Sequence, residues 1–239
     1  MRFCLNVDHI ATLRNARGEM LPDPVTVALI AEQAGVDGIV VHLREDRRHI
    51  NERDLRLLRE LVSTKLDMEM AAVDEIIKIA CDVRPNLATI VPERRKELTT
   101  EGGVNVIDNI EALSNAIKEL HEAEIPVSLF IEPDINQISA AAEINADFIE
   151  IHTGTYANAA NEEEQFDELE RIRLASKHAK KLGLGVNAGH GLNYVNIKQF
   201  LEIEDIDEVS IGQAIIARAV ITGIKEAVEE MKQIIRQKK

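Results

Sequence analysis

Ionisable side chains stand at the ends of short apolar runs all along this sequence. Asn6-Val7-Asp8-His9 closes the first run, His42-Leu43-Arg44 the second, and Glu69 lies in the third, LDMEM. Glu132 ends the run PVSLFIE, Glu150-Ile151-His152 ends the next, and Asn187 leads into Ala-Gly-His190-Gly191. Gly212-Gln213 follows the last run, DEVSI. Histidine exchanges protons near neutral pH without tuning, and a carboxyl group whose pKa is raised by burial works as acid or base in the same range. Acid–base chemistry is what such a set suits. The segment VHLREDRRHI (41–50) adds Arg44, Arg47, Arg48 and His49, and arginine is suited to bidentate binding of phosphate or carboxylate. Arg14 and Arg17, expected in the loop after the first run, are placed to converge on the same point.

Groups so far apart in sequence need a scaffold that gathers them. β-branched runs near 3–8, 37–42, 66–70, 87–91, 126–132, 147–151, 184–188 and 207–211 alternate with longer helix-periodic segments. Each gap has room for one helix and two loops, as parallel crossovers require. Helices are legible in VTVALIAEQAG, which stops at Gly35, and in EEEQFDELERIRLASKHAKKLG, acidic at its start and basic at its end. Helix 52–62 carries Arg53, Arg56 and Arg59 on an outer solvated face. Eight alternations predict a closed (β/α)₈ barrel, one domain over 1–239. In such a barrel strand interiors are apolar and polar residues at C-terminal strand ends read as catalytic. Residues two apart share a face, so Asn6 pairs with Asp8 and Glu150 with His152. The small residues after the last two strands, Gly191 and Gly212, let helix N-termini approach an anion. The irregular stretch 92–106, PERRKELTTEGGVNV, is the expected lid.

Composition narrows the functional classes. The chain has 239 residues, is 45% hydrophobic with 3% aromatics, and carries a formal charge of −14. Such acidity opposes nucleic acid and anionic membranes. No apolar run approaches a membrane span, and the first residues do not form a signal peptide, so a cytoplasmic location is expected. Cys4 and Cys81 lack metal-ligand spacing and read as reduced, buried thiols. No G-x-G-x-x-G follows the first strand, which leaves a dinucleotide site without support. No lysine is expected in or beside a strand end, which counts against an enzyme Schiff base. His121 and His178 fall within helices. His42, Glu69, Glu150, His152 and His190 remain an alternative metal set, so a metal-dependent hydrolase, a phosphosugar isomerase and a non-catalytic phosphometabolite binder stay open.

The motifs NVDHIATLRNARG (6–18), VHLREDRRHI (41–50), DMEMA (67–71), VPE with TTEGG (91–103), FIEIHTG (148–154), VNAGHGL (186–192) and IGQAIIARA (211–219) resemble the pyridoxine 5′-phosphate synthase family from end to end. The resemblance implies condensation of 1-deoxy-D-xylulose 5-phosphate with 3-amino-2-oxopropyl phosphate to pyridoxine 5′-phosphate, phosphate and water. It implies a barrel with added helices, a homo-octameric assembly, and no metal or organic cofactor. By the same resemblance His42 and Glu69 are general bases, His190 the general acid and Glu150 a transition-state stabiliser. Asp8, His9, Arg44, His49 and Thr99 match contacts to the deoxyxylulose phosphate. Asn6, Arg17, Gly191, Gly212 and Gln213 match contacts to the aminoketone phosphate. Gln213, where relatives commonly have His, and Asn158 are departures.

Overall fold

A computed structural model describes residues 1–93 and 102–237. Eight strands, β1 (Arg2–Asn6), β2 (Gly38–His42), β3 (Lys65–Met70), β4 (Leu87–Ile90), β5 (Val127–Ile131), β6 (Phe148–His152), β7 (Gly185–Gly189) and β8 (Glu208–Ile211), pair in parallel and in sequence order. β8 pairs back onto β1, with Arg2 opposite Glu208 and Leu5 opposite Ile211, so the sheet closes into a barrel. The helices are α1 (Asp8–Asn15), α2 (Pro24–Ala34), α3 (Glu52–Leu61), α4 (Asp74–Val83), α5 (Ile110–Glu122), α6 (Ile135–Glu143), α7 (Gly154–Ala157), α8 (Glu162–Lys181), α9 (Ile197–Phe200), α10 (Gln213–Thr222) and α11 (Ile224–Arg236).

Helix boundaries follow local chemistry. Asp23 caps α2 by accepting from the Val25 N–H, Pro24 sits at its first position, and Gly35 ends it in the left-handed region at φ 96°. Asn51 and Asp54 form a capping box on α3. The acids Glu162, Glu163 and Glu164 open α8, while His178, Lys180 and Lys181 close it.

The expectation of apolar strand interiors holds only for the outer face. In β3, Leu66, Met68 and Met70 join the apolar core under the helices, while the alternate residues Lys65, Asp67 and Glu69 turn into the lumen. Lys65 bonds Glu208 of β8 although β1 and β2 lie between their strands, a contact possible only across the interior. Arg2 holds the other Glu208 oxygen at 3.1 Å, and Thr89 donates to Asp67 at 2.8 Å. Gly38 makes room: a Cβ there would lie 2.7 Å from Cys4 Sγ. The lumen floor is therefore an ion-pair cluster, and a lysine does open a strand, at the end remote from the expected site. Cys4 is buried as expected, but Cys81 is only partly so, and both are free thiols. His121 and His178 do lie on helices, α5 and α8, bonded to Asp147 and Ser139.

The segment after β1 also departs from expectation. It is helix α1, not loop, and Asp8 opens it rather than continuing the strand. The apolar period Ile10, Ala11 and a buried Arg14 is its signature. Arg14 points away from the lumen mouth. Its guanidinium binds Asp54 at 2.8 Å and the His49 carbonyl at 3.0 Å, with Asn15 also bonding that carbonyl at 2.9 Å. The pair is buried, so removing one partner strands a charge. Asp54→Ala, which also breaks the capping box, is expected to cost about 3 kcal/mol or more, read as a lowered midpoint in urea unfolding.

Candidate active site

The C-terminal strand ends surround a cavity of about 660 Å³ whose lining includes Asn6, Asp8, His42, Glu69, Glu150 and His190. His42, the last residue of β2, is fixed from several sides. Its backbone N–H donates to Asp8 Oδ1 at 2.8 Å. Its ring lies between two carboxylates, Nε2 at 2.9 Å from Glu93 and Nδ1 at 3.7 Å from Glu69. Asp8 is itself held by Asn6, whose amide donates to Oδ2 at 2.9 Å. These two residues thus stand side by side, but through a strand-to-helix turn.

Burial is the main force on the carboxyl groups. It pushes Glu69 well above its ordinary value, with the charges of Glu150, Asp8 and Asp67 adding to the effect and Asn6 opposing it. Burial likewise raises Glu150 to about 8; Asp67 and Glu208 add to this, and Lys65 works against it. A Glu150 carboxyl that keeps its proton at neutral pH is a hydrogen-bond donor as well as an acceptor. Burial lowers His49, against the pull of Asp8, so this ring is neutral at pH 7.

His190 follows β7 at φ 81°, a region costly for a side chain with a Cβ. Thr153 pins the turn, its hydroxyl donating to the carbonyls of Gly189 at 2.8 Å and His190 at 2.5 Å. The His152 ring lies tilted against His190 with ring centres 5.1 Å apart, and Nδ1 of His152 lies 2.8 Å from Glu132. Gly103 donates to that same Glu132 at 3.0 Å, and a Cβ on it would strike the Glu132 backbone at 2.4 Å. Asn158 lines a neighbouring cavity with His152 and His190.

Two parts of the wall suit anions. Arg44, Arg48 and His49 line it on the 41–50 segment. Gly191 lines it just after β7, and Gly212 and Gln213 line it where α10 begins directly after β8, so backbone N–H groups of that helix end face the cavity. His9 is also in the lining. Arg17 is not: it is exposed beyond the end of α1. Thr99 and residues 94–101 of the expected lid lie outside the described residues.

A family model, "Pyridoxal phosphate biosynthesis protein PdxJ", matches residues 3–237. The chain belongs to this family. It is 58% identical to a pyridoxine 5′-phosphate synthase of Pelodictyon phaeoclathratiforme, covering 99% of this chain and 100% of that one. It is 55% identical to a protein of the same name from Geobacter sulfurreducens, with 97% of each chain covered. Among solved structures, "Native KDPGal structure" superimposes with a TM-score of 0.69 at 11% identity, over 100% of this chain and 96% of that one, a likeness of fold.

Within this PdxJ-family site, Glu93 meets His42, though the sequence assigns it no role beyond closing the VPE motif, two residues past the fourth run. Ser210 and Asn193 also line the cavity without having been singled out. The alternative metal set, His152 apart, shares a cavity wall but does not come together at metal-ligand spacing: among the described residues the group that does is Asp8, His42 and His49.

The raised Glu150 has a consequence for stability. Its folded value, about 8, lies above the unfolded 4.5, so between these pH values the native state keeps a proton the unfolded chain has lost. Stability therefore falls as pH rises through that window. Glu150→Gln is expected to gain on the parent from pH 5 to pH 8, by on the order of 3 kcal/mol, measured by unfolding at each pH.

Proposed function

We infer that the chain catalyses the pyridoxine 5′-phosphate synthase reaction, joining 1-deoxy-D-xylulose 5-phosphate to 3-amino-2-oxopropyl phosphate with loss of phosphate and water. The observation that carries the reading is the convergence, in one cavity, of the acid–base row His42, Glu69, Glu150 and His190 with two anion-binding walls. Two phosphorylated substrates need two such walls. The Arg44, His49, Asp8 and His9 side is assigned to the deoxyxylulose phosphate. The Asn6, Gly191, Gly212 and Gln213 side is assigned to the aminoketone phosphate. Arg17 and Thr99 belong to the same assignment by motif alone.

The chemistry needs groups that switch between acid and base. Amine attack on the ketone forms a carbinol, and His190 is assigned to protonate its departing hydroxyl. Later steps remove C–H protons, the work of His42 and Glu69, while phosphate is expelled and the ring closes. Neutral Glu150 donates a hydrogen bond to oxygen as negative charge develops on it. No metal or organic cofactor is assigned. Asp8, His42 and His49 favour a second, metal-dependent reading by their spacing, but several of their ligand atoms already have partners. Asp8 accepts from Asn6 and the His42 backbone, Nε2 of His42 faces Glu93, and Nδ1 of His49 accepts from the Ile50 N–H at 3.0 Å. Activity lost to a chelator and restored by a divalent ion would reverse this choice.

One domain over 1–239, a cytoplasmic location and a homo-octamer complete the proposal. Neither a nucleic acid nor a membrane is a partner in it. No helix among the described residues is long and apolar enough to cross a membrane. Leu13 on α1 and Val220 and Ile221 on α10 are exposed on helices that pack together, an apolar face that supports assembly; sedimentation of the purified protein tests it. Mixing both substrates should release inorganic phosphate in step with the pyridoxine ring absorbance. His42→Ala and Glu69→Gln should each lower turnover at least ~100-fold with the fold intact; parental turnover in either would remove its assigned role.

A further inference from the structure

We infer that Glu93 is a positioning residue, which holds His42 in the tautomer whose lone pair lies on Nδ1, so that the nitrogen taking protons is the one facing Glu69. The inference rests on the reading of His42 as a base. Glu93 stands just beyond β4, after Val91 and Pro92, and its side chain is only 6% exposed. Both its oxygens are engaged. Oε1 is 2.9 Å from His42 Nε2; Oε2 accepts from the Glu45 N–H at 3.2 Å and lies 4.0 Å from Arg44 Nε. Burial works to raise Glu93, but the hydrogen bond and charge of His42, the Glu45 N–H and the Arg44 charge outweigh it and hold the carboxyl below its ordinary value.

An ionised carboxylate has acceptors only. The His42 nitrogen facing Glu93 must therefore carry its hydrogen, and in the neutral ring the lone pair is left on Nδ1. Nδ1 lies 3.7 Å from Glu69 Oε2, too far for a hydrogen bond and close enough for a small ring movement to make one. The two carboxyl groups flanking the ring differ in kind. Glu93 is ionised beside Arg44. Glu69 is driven towards its neutral form by burial and by Glu150, Asp8 and Asp67. Glu93 orients the ring and stabilises the imidazolium formed when Nδ1 takes a proton, as the buried acid of a catalytic triad does. Glu69 is the partner for proton exchange. Among the described residues, further titratable groups facing His42 are Asp8, which accepts from its backbone, and His49, whose ring centre lies 5.8 Å away.

Glu93→Gln tests this, because an amide presents a donor or an acceptor and releases the choice of tautomer. The expected result is a kcat lowered ~10–100-fold with KM for both substrates within about threefold. Glu93→Asp should recover part of the kcat, because the charge returns at shorter reach. Independently of activity, the ¹⁵N spectrum of sedimented, histidine-labelled enzyme should show a neutral His42 protonated at Nε2, assigned by its loss in His42→Asn. An Nδ1-protonated His42 in the parent enzyme overturns the inference even if Glu93→Gln does not fold. A Glu93→Gln enzyme with parental kcat overturns it too. Parental turnover in His42→Ala would instead remove the base assignment, while the spectrum still decides the tautomer.

Discussion

A closed barrel of eight parallel strands encloses a lumen that side chains must fill, and carboxylates in that lumen must be neutralised, bonded or kept protonated. Here Asp67, Glu69, Glu150 and Glu208 turn inward, and Lys65 answers them from the floor. Ion pairing is concentrated there: Lys65 joins Glu208 and Asp67, and Arg2 closes the outer side of Glu208. Higher up, the compensation thins out. Glu150 is left to the other solution, which is to hold a proton, and burial pushes Glu69 in the same direction. Burial, opposed at Glu150 by the charge of that lysine, thus sets the acid–base character of the upper lumen.

The mouth completes what the lumen begins. Histidines replace lysine as partners of the carboxyl groups there, because a group that must change charge cannot also be a permanent counter-ion. His42 is fastened through its backbone to Asp8, and Asp8 through Asn6 to the end of β1. His190 occupies a left-handed turn that the Thr153 hydroxyl holds in place. Arg14, buried against Asp54, secures the carbonyl of His49 and so the segment that carries Arg44 and Arg48. His42 and His190 are each placed by residues outside the acid–base row, and that support is where stability is put to use for function.

Much of this was legible beforehand. The eight runs and their spacing match the strands within a few residues, because a β-branched run between helix-periodic segments has few other uses. His42, Glu69, Glu150 and His190 stood out as ionisable groups in or just after those runs. Other features were not legible. Lys65 and Asp67 alternate with apolar residues in KLDMEM, a pattern that fits any half-buried strand until the barrel closes and shows which face is inside. Arg14 and Arg17 look alike in the sequence, yet the turn of α1 buries one against Asp54 and leaves the other exposed. Glu93 becomes special only through a nitrogen 51 residues away.

By itself the sequence determined the barrel, the family and the identity of the groups at the strand ends, since these depend on periodicity and residue type, which are local. Tertiary structure decided which of those groups meet: His42 between Glu69 and Glu93, Lys65 across the lumen from Glu208, and Asp8 turned out of its strand to hold His42. The reason is physical. Burial and the distance to the next charge decide a side chain's protonation state and the nitrogen it offers, and both are properties of the closed barrel rather than of any segment of the chain.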